Sequence, residues 1–562
     1  MNETTDSAQI PAWMLNRSVQ IGIILLVLLL TFFVNLGYLE PSLMEARNFI
    51  TAREIVSNGH WLVPTMNGYV RLAKPPLPTW MTAWAGMVAG DIENVAALRL
   101  PAALMDALLV FFFYALAGWL TKDKLLPFIA ALILSTSFLV INIGRQGTWD
   151  IYCHSFMVGA LWLMVKGWQQ VKSSYGLFLG AGLLLGLSFL SKGPIAFYTL
   201  LIPFLASYSY AYGLKYTHWK GMVLLVVACV VVSVSWPLYI YLYEPESLAM
   251  TMRNESQAWV NRHVQPFWYY WMFPVQAGIW VLFIVAALAG PYASKRIQPY
   301  GKYKFLLLWV VLTIVLLSLT PEKKERYLLP AMVPMALLAA HYVRYLIGHL
   351  SPIRYTKADF RFVLVNAALF ALAAFAFPVA FYVAVYKTGQ AALWQMSVVM
   401  VACCLAGAAI LYFATSRKMP GFFLAVIAFH TVAVLVAVPF LERAVKPPGN
   451  FHSLKQVREI QAIRGMDMYA VDGMNPMYIW DVGQPVDTLS MRNQHLELPP
   501  KLPAVVFSTK PISESLLPQA GIRVQQLGAF QFNAREPAER YYLQVLSERS
   551  ASPITTGNAA LK

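Results

Sequence analysis

At 562 residues, 58% hydrophobic and only 12% charged, the chain is too apolar for a soluble domain, in which about a quarter of residues are charged. A mean hydropathy of +0.55 and repeated apolar runs of about 20 residues, each able to cross a bilayer as a helix, make it a polytopic, mainly α membrane protein. The net charge of +16 does not point to nucleic acid: 12 basic and 10 acidic residues follow position 445, so the excess lies in the membrane part, mostly in short loops where lysine and arginine set topology.

In chain order, the first 18 residues are polar with one arginine, Arg17. The apolar run 19–36 is too long for a signal-peptide core and lacks a cleavage site, so it is expected to remain as the first span. Apolar runs predict spans near 19–37, 95–119, 127–145, 152–170, 175–191, 194–213, 220–243, 268–290, 304–320, 328–348, 362–387, 391–415 and 421–441. That count of thirteen puts the termini on opposite sides. The segment 78–88 is apolar but short, and reads as re-entrant or interfacial. It belongs to a long first loop, 38–94, with juxtamembrane helices.

Orientation follows from the basic loops. Lys122/Lys124, Lys166/Lys172, Lys215/Lys220, Lys295/Arg296/Lys302/Lys304, Arg344/Arg354/Lys357/Arg361 and Arg417/Lys418 fall on one face, which the positive-inside rule makes cytoplasmic. The N-terminus is then inside, and the first loop and C-terminal tail are outside. From about 445 the apolar runs shorten and alternate with turn signals. They predict helices over 454–463 and 512–517 and strands over 468–471, 486–489, 504–508, 524–532 and 541–546. This is a small α/β domain, 445–562, on the outer side of a membrane domain, 1–444, and its last dozen residues read as frayed. Cys153, Cys229, Cys403 and Cys404 lie in or beside spans without metal-ligand spacing, so no disulfide is expected.

With that orientation, Lys74, Arg145, Lys192, Arg262, Lys323, Lys324 and Arg326 sit in outward-facing loops close to span ends. Cations there oppose the topology rule, and an anionic ligand at the outer surface would employ them, because lysine and arginine are natural phosphate partners. The competing account is that they snorkel to head groups. In AKPPLP (73–78) the prolines stiffen the chain around Lys74. In LSKGP (190–194) Lys192 occupies a minimal loop. ESQAWVNRHVQPFWYY (255–270) sets Arg262 and His263 ahead of Trp268, Tyr269 and Tyr270, which also read as an interfacial aromatic belt. TPEKKERYLLP (320–330) crowds three cations into one turn. The acids are Glu40 and Glu45 in the first loop and Asp150 at the mouth of the fourth span. Carboxylates near membrane depth are costly unless paired or used. Glu45 with Arg47, or Asp150 with Arg145, are the pairings the sequence offers, and either acid could instead serve as a general base.

In order, these pieces resemble the large-loop membrane glycosyltransferases of the C-type fold, within them the group of protein O-mannosyltransferases and lipid A aminoarabinose transferases. The resemblance rests on EARNFITAREIVSNGHWLVPTMNGYVRLAKPPLPTW (45–80), Asp150 before a span, LSKG (190–193), RHVQPFWYY (262–270) and KERYLLP (324–330). It implies a C-type fold with about thirteen spans and an outer C-terminal domain. The implied reaction moves a sugar from a polyprenyl (undecaprenyl) phosphate donor to a lipid A, glycan or protein acceptor at the periplasmic face of a bacterial inner membrane.

Under that resemblance the donor phosphate falls to Lys74, Arg262, Lys323, Lys324, Arg326, Tyr327 and Lys192. Catalysis falls to Glu45 and Asp150, and the acceptor or sugar pocket to Glu40, Arg47, His263, Trp268 and Tyr269. Two departures matter. Met44 stands where the family usually has Asp, which leaves Glu45, Glu40 or Asp150 as the base. Ala73 stands where the aminoarabinose enzymes carry a metal-holding glutamate, so no cofactor or metal is expected there. Membrane lipids are the expected surroundings, and nucleic acid is not an expected partner. A transporter of a lipid-linked phosphate, or a non-catalytic lipid-binding relative, are the rival readings. A transporter should carry charges at mid-membrane, and the predicted spans are nearly free of them.

Overall fold

The computed structural model describes residues 10–172, 174–213, 218–351, 355–441, 452–492, 495–518, 521–531 and 539–552. Lys215, Arg354, the 445 domain boundary, position 532 and the frayed end (553–562) lie outside these residues. The chain divides into two compact units. One comprises 1–39, 72–85 and 94–440; the other comprises 40–71, 86–93 and 441–562.

The first unit is helical. Each of the thirteen predicted spans is helical over most of its length. By length and apolar composition eight described helices can cross a membrane: Val95–Leu120, Tyr175–Lys192, Trp219–Tyr243, Phe267–Leu288, Glu325–His349, Lys357–Tyr386, Leu393–Thr415 and Met419–Phe440. A ninth span results if Leu126–Ser135 and Phe138–Gly144, bent by 62° at their break, are taken together. The count of thirteen is therefore not reached by this measure. Arg17–Phe33 and Tyr303–Leu319 are shorter, the 194–213 run is a π-turn followed by an 11-residue helix, and Asp150–Gln169 carries Asp150, His154 and Lys166.

Local chemistry sets the helix ends. Asn16 accepts from Ser18 N at 2.9 Å, Asn94 from Ala97 N at 3.2 Å and Thr356 from Asp359 N at 3.2 Å, each satisfying an orphan first-turn donor. At the 62° bend, the Thr136 and Ser137 hydroxyls return to the Leu132 and Ile133 carbonyls, and Trp280 Nε1 donates to Thr136 Oγ1 at 2.8 Å. Small residues fix close packing between Tyr175–Lys192 and Trp219–Tyr243. A Cβ at Gly182 would lie 2.3 Å from Leu225 O, and one at Gly186 would lie 2.4 Å from Val232 Cβ, the small-xxx-small spacing of tightly packed membrane helices. The helix Glu325–His349 is 94% buried over its span and forms the centre of the unit.

In the second unit, the first-loop helix Leu43–Asn58 starts with a Ser42/Glu45 capping box and ends at Gly59 in the left-handed region. The strands β1 (Thr65–Met66) and β2 (Tyr69–Val70) form a hairpin whose turn is Asn67–Gly68, both at positive φ, as a two-residue hairpin demands. Glu54 fastens the hairpin to the helix, accepting from Thr65 Oγ1 and Asn67 N, each at 2.6 Å. The remaining strands are β3 (Met468–Val471), β4 (Asp487–Leu489), β5 (Met491–Arg492), β6 (His495–Leu496), β7 (Ala504–Ser508), β8 (Ile522–Gln531) and β9 (Arg540–Glu548). Five of them make a mixed sheet in the order β4-β3-β7-β9-β8, parallel across β4, β3 and β7 and antiparallel thereafter. The five strands read from the sequence are present to within two residues at each described end. The 454–463 and 512–517 helices are short 3-10 turns, and the helix Pro476–Val482 was not foreseen. That helix packs on Leu43–Asn58, with Phe49 and Trp480 rings 5.5 Å apart and the Arg53 guanidinium 5.5 Å from the Trp480 ring.

Candidate active site

Asp150 opens the helix Asp150–Gln169, and Lys192 closes the helix Tyr175–Lys192. These helices pack side by side, with Ser188 Oγ donating to Cys153 O at 2.7 Å. Gly193 follows at φ +72, a conformation that glycine adopts without cost and that stops the helix at the lysine. The result is a direct Lys192–Asp150 ion pair whose side chains are 7% and 3% exposed. The Lys192 ammonium also lies 5.0 Å from the Tyr327 ring centre, and Arg326 stacks on the same ring at 5.7 Å. Arg326 is near enough to act electrostatically on Asp150. Three groups, as far as 177 positions from it in sequence, thus surround one carboxylate.

A second layer is built from two loops of the same unit. Val264 and Glu322 form an antiparallel bridge, flanked by Gln265 N to Pro321 O at 3.3 Å and Lys323 N to His263 O at 3.1 Å. The Lys323 ammonium closes this joint by donating to Gln265 O at 2.9 Å and Thr320 O at 2.6 Å. Glu322 Oε1 accepts from Lys324 Nζ at 2.8 Å and Arg262 Nε at 3.3 Å. Burial works to raise the Glu322 carboxyl, but Lys324 and Arg262 outweigh it and hold it below its ordinary value. Burial, only partly offset by Glu322, lowers Lys324. The Tyr270 hydroxyl clasps Lys324, accepting from its N–H and donating to its carbonyl, both at 3.2 Å.

The other sequence candidates fall in three places. Lys74 lies 3.5 Å from Glu255, a carboxylate on the helix Pro245–Asn261. His263 is exposed at φ +51, Trp268 is 70% exposed, and Tyr269 is half-buried against Tyr270 at 5.1 Å. Arg145 departs from the sequence reading. It does not pair with Asp150; its guanidinium donates to Thr31 O at 2.6 Å and to Val34 O and Asn35 O at 2.9 Å, because carbonyls at the end of the first apolar helix have no intrahelical partner. Glu40, Glu45 and Arg47 belong to the second unit. Glu40 pairs with Lys455 at 2.6 Å, Glu45 accepts from Ser42 N and Oγ at 2.9 Å, and Arg47 Nη1 lies 3.9 Å from Met44 Sδ.

Sequence reasoning overlooked Glu322, Glu255 and Tyr270 as structural members of this cluster. Glu322 was visible in TPEKKERYLLP as the acid that lets three cations share a turn. Ala73 offers no donor beside Lys74, and among the described residues no three His, Cys, Asp or Glu side chains converge as a metal site would require.

Residues 73–236 match the model of the dolichyl-phosphate-mannose-protein mannosyltransferase family, a stretch holding Lys74, Asp150 and Lys192. Undecaprenyl phosphate-alpha-4-amino-4-deoxy-L-arabinose arabinosyl transferase 2 of Proteus mirabilis is 28% identical over 350 residues, 58% of this chain and 60% of that protein. The corresponding transferase 1 of Pseudomonas fluorescens is 29% identical over 315 residues, 52% of this chain and 54% of that protein. The chain thus spans somewhat over half the length of these curated relatives. The crystal structure of ArnT from Cupriavidus metallidurans bound to undecaprenyl phosphate superposes with a TM-score of 0.65 at 16% identity, covering 95% of this chain and 99% of that one. The fold is the C-type glycosyltransferase fold. This is a multi-pass membrane protein of that architecture with a small C-terminal strand domain, similar in sequence over somewhat more than half its length to undecaprenyl phosphate-4-amino-4-deoxy-L-arabinose arabinosyl transferases.

Proposed function

We propose that the chain is a membrane glycosyltransferase that moves a sugar from a polyprenyl (undecaprenyl) phosphate to a lipid A, glycan or protein acceptor. The observation that carries this reading is the convergence of Lys192, Arg326, Tyr327 and Lys324 around buried carboxylates at one end of the helical unit. The match to arabinosyl transferases that use undecaprenyl phosphate-linked sugars supports it. In this reading the protein lies in a bacterial inner membrane with its N-terminus in the cytoplasm. A membrane domain, 1–444, faces the periplasm with its site, and an outer domain, 445–562, follows.

The chemistry is a displacement at the anomeric carbon. The bond from that carbon to the phosphate oxygen breaks, a bond to the acceptor oxygen forms, and the polyprenyl phosphate leaves with the electron pair. Lys74, Arg262, Lys324 and Arg326 neutralise the charge that grows on the leaving phosphate and the Tyr327 hydroxyl donates a hydrogen bond to it, with Lys323 bracing the loops. Fixed cations aimed at developing charge lower a barrier without reorganising. Asp150 fixes the Lys192 ammonium for the same purpose. The acceptor proton goes to a carboxylate, for which Glu45, Glu40 and Asp150 are the candidates. Arg47, His263, Trp268 and Tyr269 are assigned to the acceptor or sugar.

The test is transfer of radiolabel from a polyprenyl-phosphate sugar by the full-length protein in proteoliposomes. Lys74→Ala and Arg262→Ala are each expected to lower transfer by at least about 100-fold, as loss of an electrostatic transition-state contact does, with the protein still folded in a thermal melt. Glu45→Gln should do the same if Glu45 is the base, and full activity in that variant would remove it from the mechanism.

A further inference from the structure

The helix Asp150–Gln169 has a second charged end that the proposed transfer does not use. From Asp150 to Lys166 the axis runs about 24 Å at 1.5 Å per residue, close to the thickness of a bilayer's hydrocarbon core of about 30 Å. At that far end lies a cavity of about 880 Å³, on the face the basic loops assign to the cytoplasm. Its wall carries four cations, Arg17, Lys122, Lys124 and Lys166. None of the four has a carboxylate partner among the described residues.

The one acid in the wall, Asp123, is already committed. Its Oδ2 accepts from Arg344 Nε at 2.7 Å, and its Oδ1 accepts from Leu125 N at 2.8 Å and Leu126 N at 2.9 Å. The cavity therefore keeps an uncompensated positive field. Lys166 is held over two indoles, 5.8 Å from Trp119 and 5.7 Å from Trp162, which presets its ammonium. Tyr114 donates to Gln20 at 2.8 Å, and Gln20 in turn holds Met14 O and Lys124 O. This hydrogen-bonded chain ties the cavity's two sides together. Trp119, Trp162 and Tyr114 are the side chains that settle at head-group depth, and Leu15, Ala115 and Pro127 supply an apolar wall. Cations, interfacial aromatics and an apolar wall in one cavity match an amphiphile better than a free ion.

We propose that this cavity binds the phosphate head group of an anionic phospholipid, with its glycerol and proximal acyl carbons on the apolar wall. Basic pockets between membrane helices on the cytoplasmic side recognise such head groups. The site is separate from the donor site and does not depend on the transfer reading.

Native mass spectrometry of the full-length protein tests it, with phosphatidylglycerol and phosphatidylcholine of identical acyl chains as probes. The wild type should retain phosphatidylglycerol over phosphatidylcholine by about tenfold, and Lys122→Gln/Lys124→Gln should erase that preference, as expected for two head-group contacts. Both lysines are exposed, so the fold is retained, and a thermal melt checks it. Lys295→Gln/Lys304→Gln removes the same charge at exposed positions of the same face and should leave the preference intact. No preference in the wild type, or equal loss in both double variants, overturns the proposal. Displacement of the lipid by millimolar inorganic phosphate or glycerol phosphate would also overturn it, in favour of a soluble phosphate as occupant.

Discussion

The two ends of the helix Asp150–Gln169 both gather cations but treat them differently. At the Asp150 end the described cations have specific partners: Lys192 on Asp150, Arg326 beside Tyr327 and Asp150, Arg262 and Lys324 on Glu322, Lys323 on two carbonyls, Lys74 near Glu255. At the Lys166 end Arg17, Lys122, Lys124 and Lys166 have no carboxylate partner among the described residues and stand over indoles, beside Tyr114 or in solvent. Charges removed from water must be paired and fixed, whereas charges at the surface keep their hydration and stay available. The first end is thus rigid and preset, as stabilising a short-lived charge requires. The second is open, as exchange with a lipid pool requires.

The sharpest break in this contrast comes from unpairing the buried end. Lys192→Met leaves Asp150 charged and enclosed, and such a loss costs about 3–5 kcal/mol, read as a large fall in melting temperature in detergent. Asp150→Asn/Lys192→Met removes both charges and should recover most of it. A smaller effect is expected at the loop joint. Glu322→Gln should cost about 1–2 kcal/mol, since it gives up two charge-assisted bonds, one to a half-exposed arginine. Because the Glu322 carboxyl is held below its ordinary value, its contribution is fully present above about pH 4.5, the usual carboxylate range. It is lost as pH falls through the lowered value. A melting series from pH 7 to 3 should show an acid limb in the wild type that is reduced in Glu322→Gln. The smallest effect belongs to the open end. Lys122→Gln/Lys124→Gln should change stability by no more than about 0.5 kcal/mol, and a large loss there would erase the distinction between the two ends.

Much of this was legible in the sequence, and the boundary has physical reasons. Apolar runs revealed the helices because burial in lipid demands them, but run length alone did not reveal the 62° bend at Thr136–Ser137 or the shortness of Tyr303–Leu319. Strands β3, β7 and β9 were read from their alternation and turn signals. The Pro476–Val482 helix was missed because its seven residues are too few to display a period. Lys192 and Asp150 were each identified, yet their pairing was not, since Arg145 is only five positions from Asp150 and looked the nearer partner. Arg145 turned instead to the carbonyls of Thr31, Val34 and Asn35, a need that arises only once the first helix ends beside it. Glu322 was overlooked because three adjacent cations drew attention to an anion from outside, while the chain carried its own.

The central claim is that the buried end of this helix holds a polyprenyl phosphate. Its most direct measurement is equilibrium binding of undecaprenyl phosphate to the purified full-length protein and to the Asp150→Asn/Lys192→Met variant, which lacks both members of the buried pair, with a thermal melt confirming that the variant is folded. The account predicts at least about tenfold weaker binding by the folded variant, the loss of one charge-assisted phosphate contact. Equal affinity in the two proteins would contradict it.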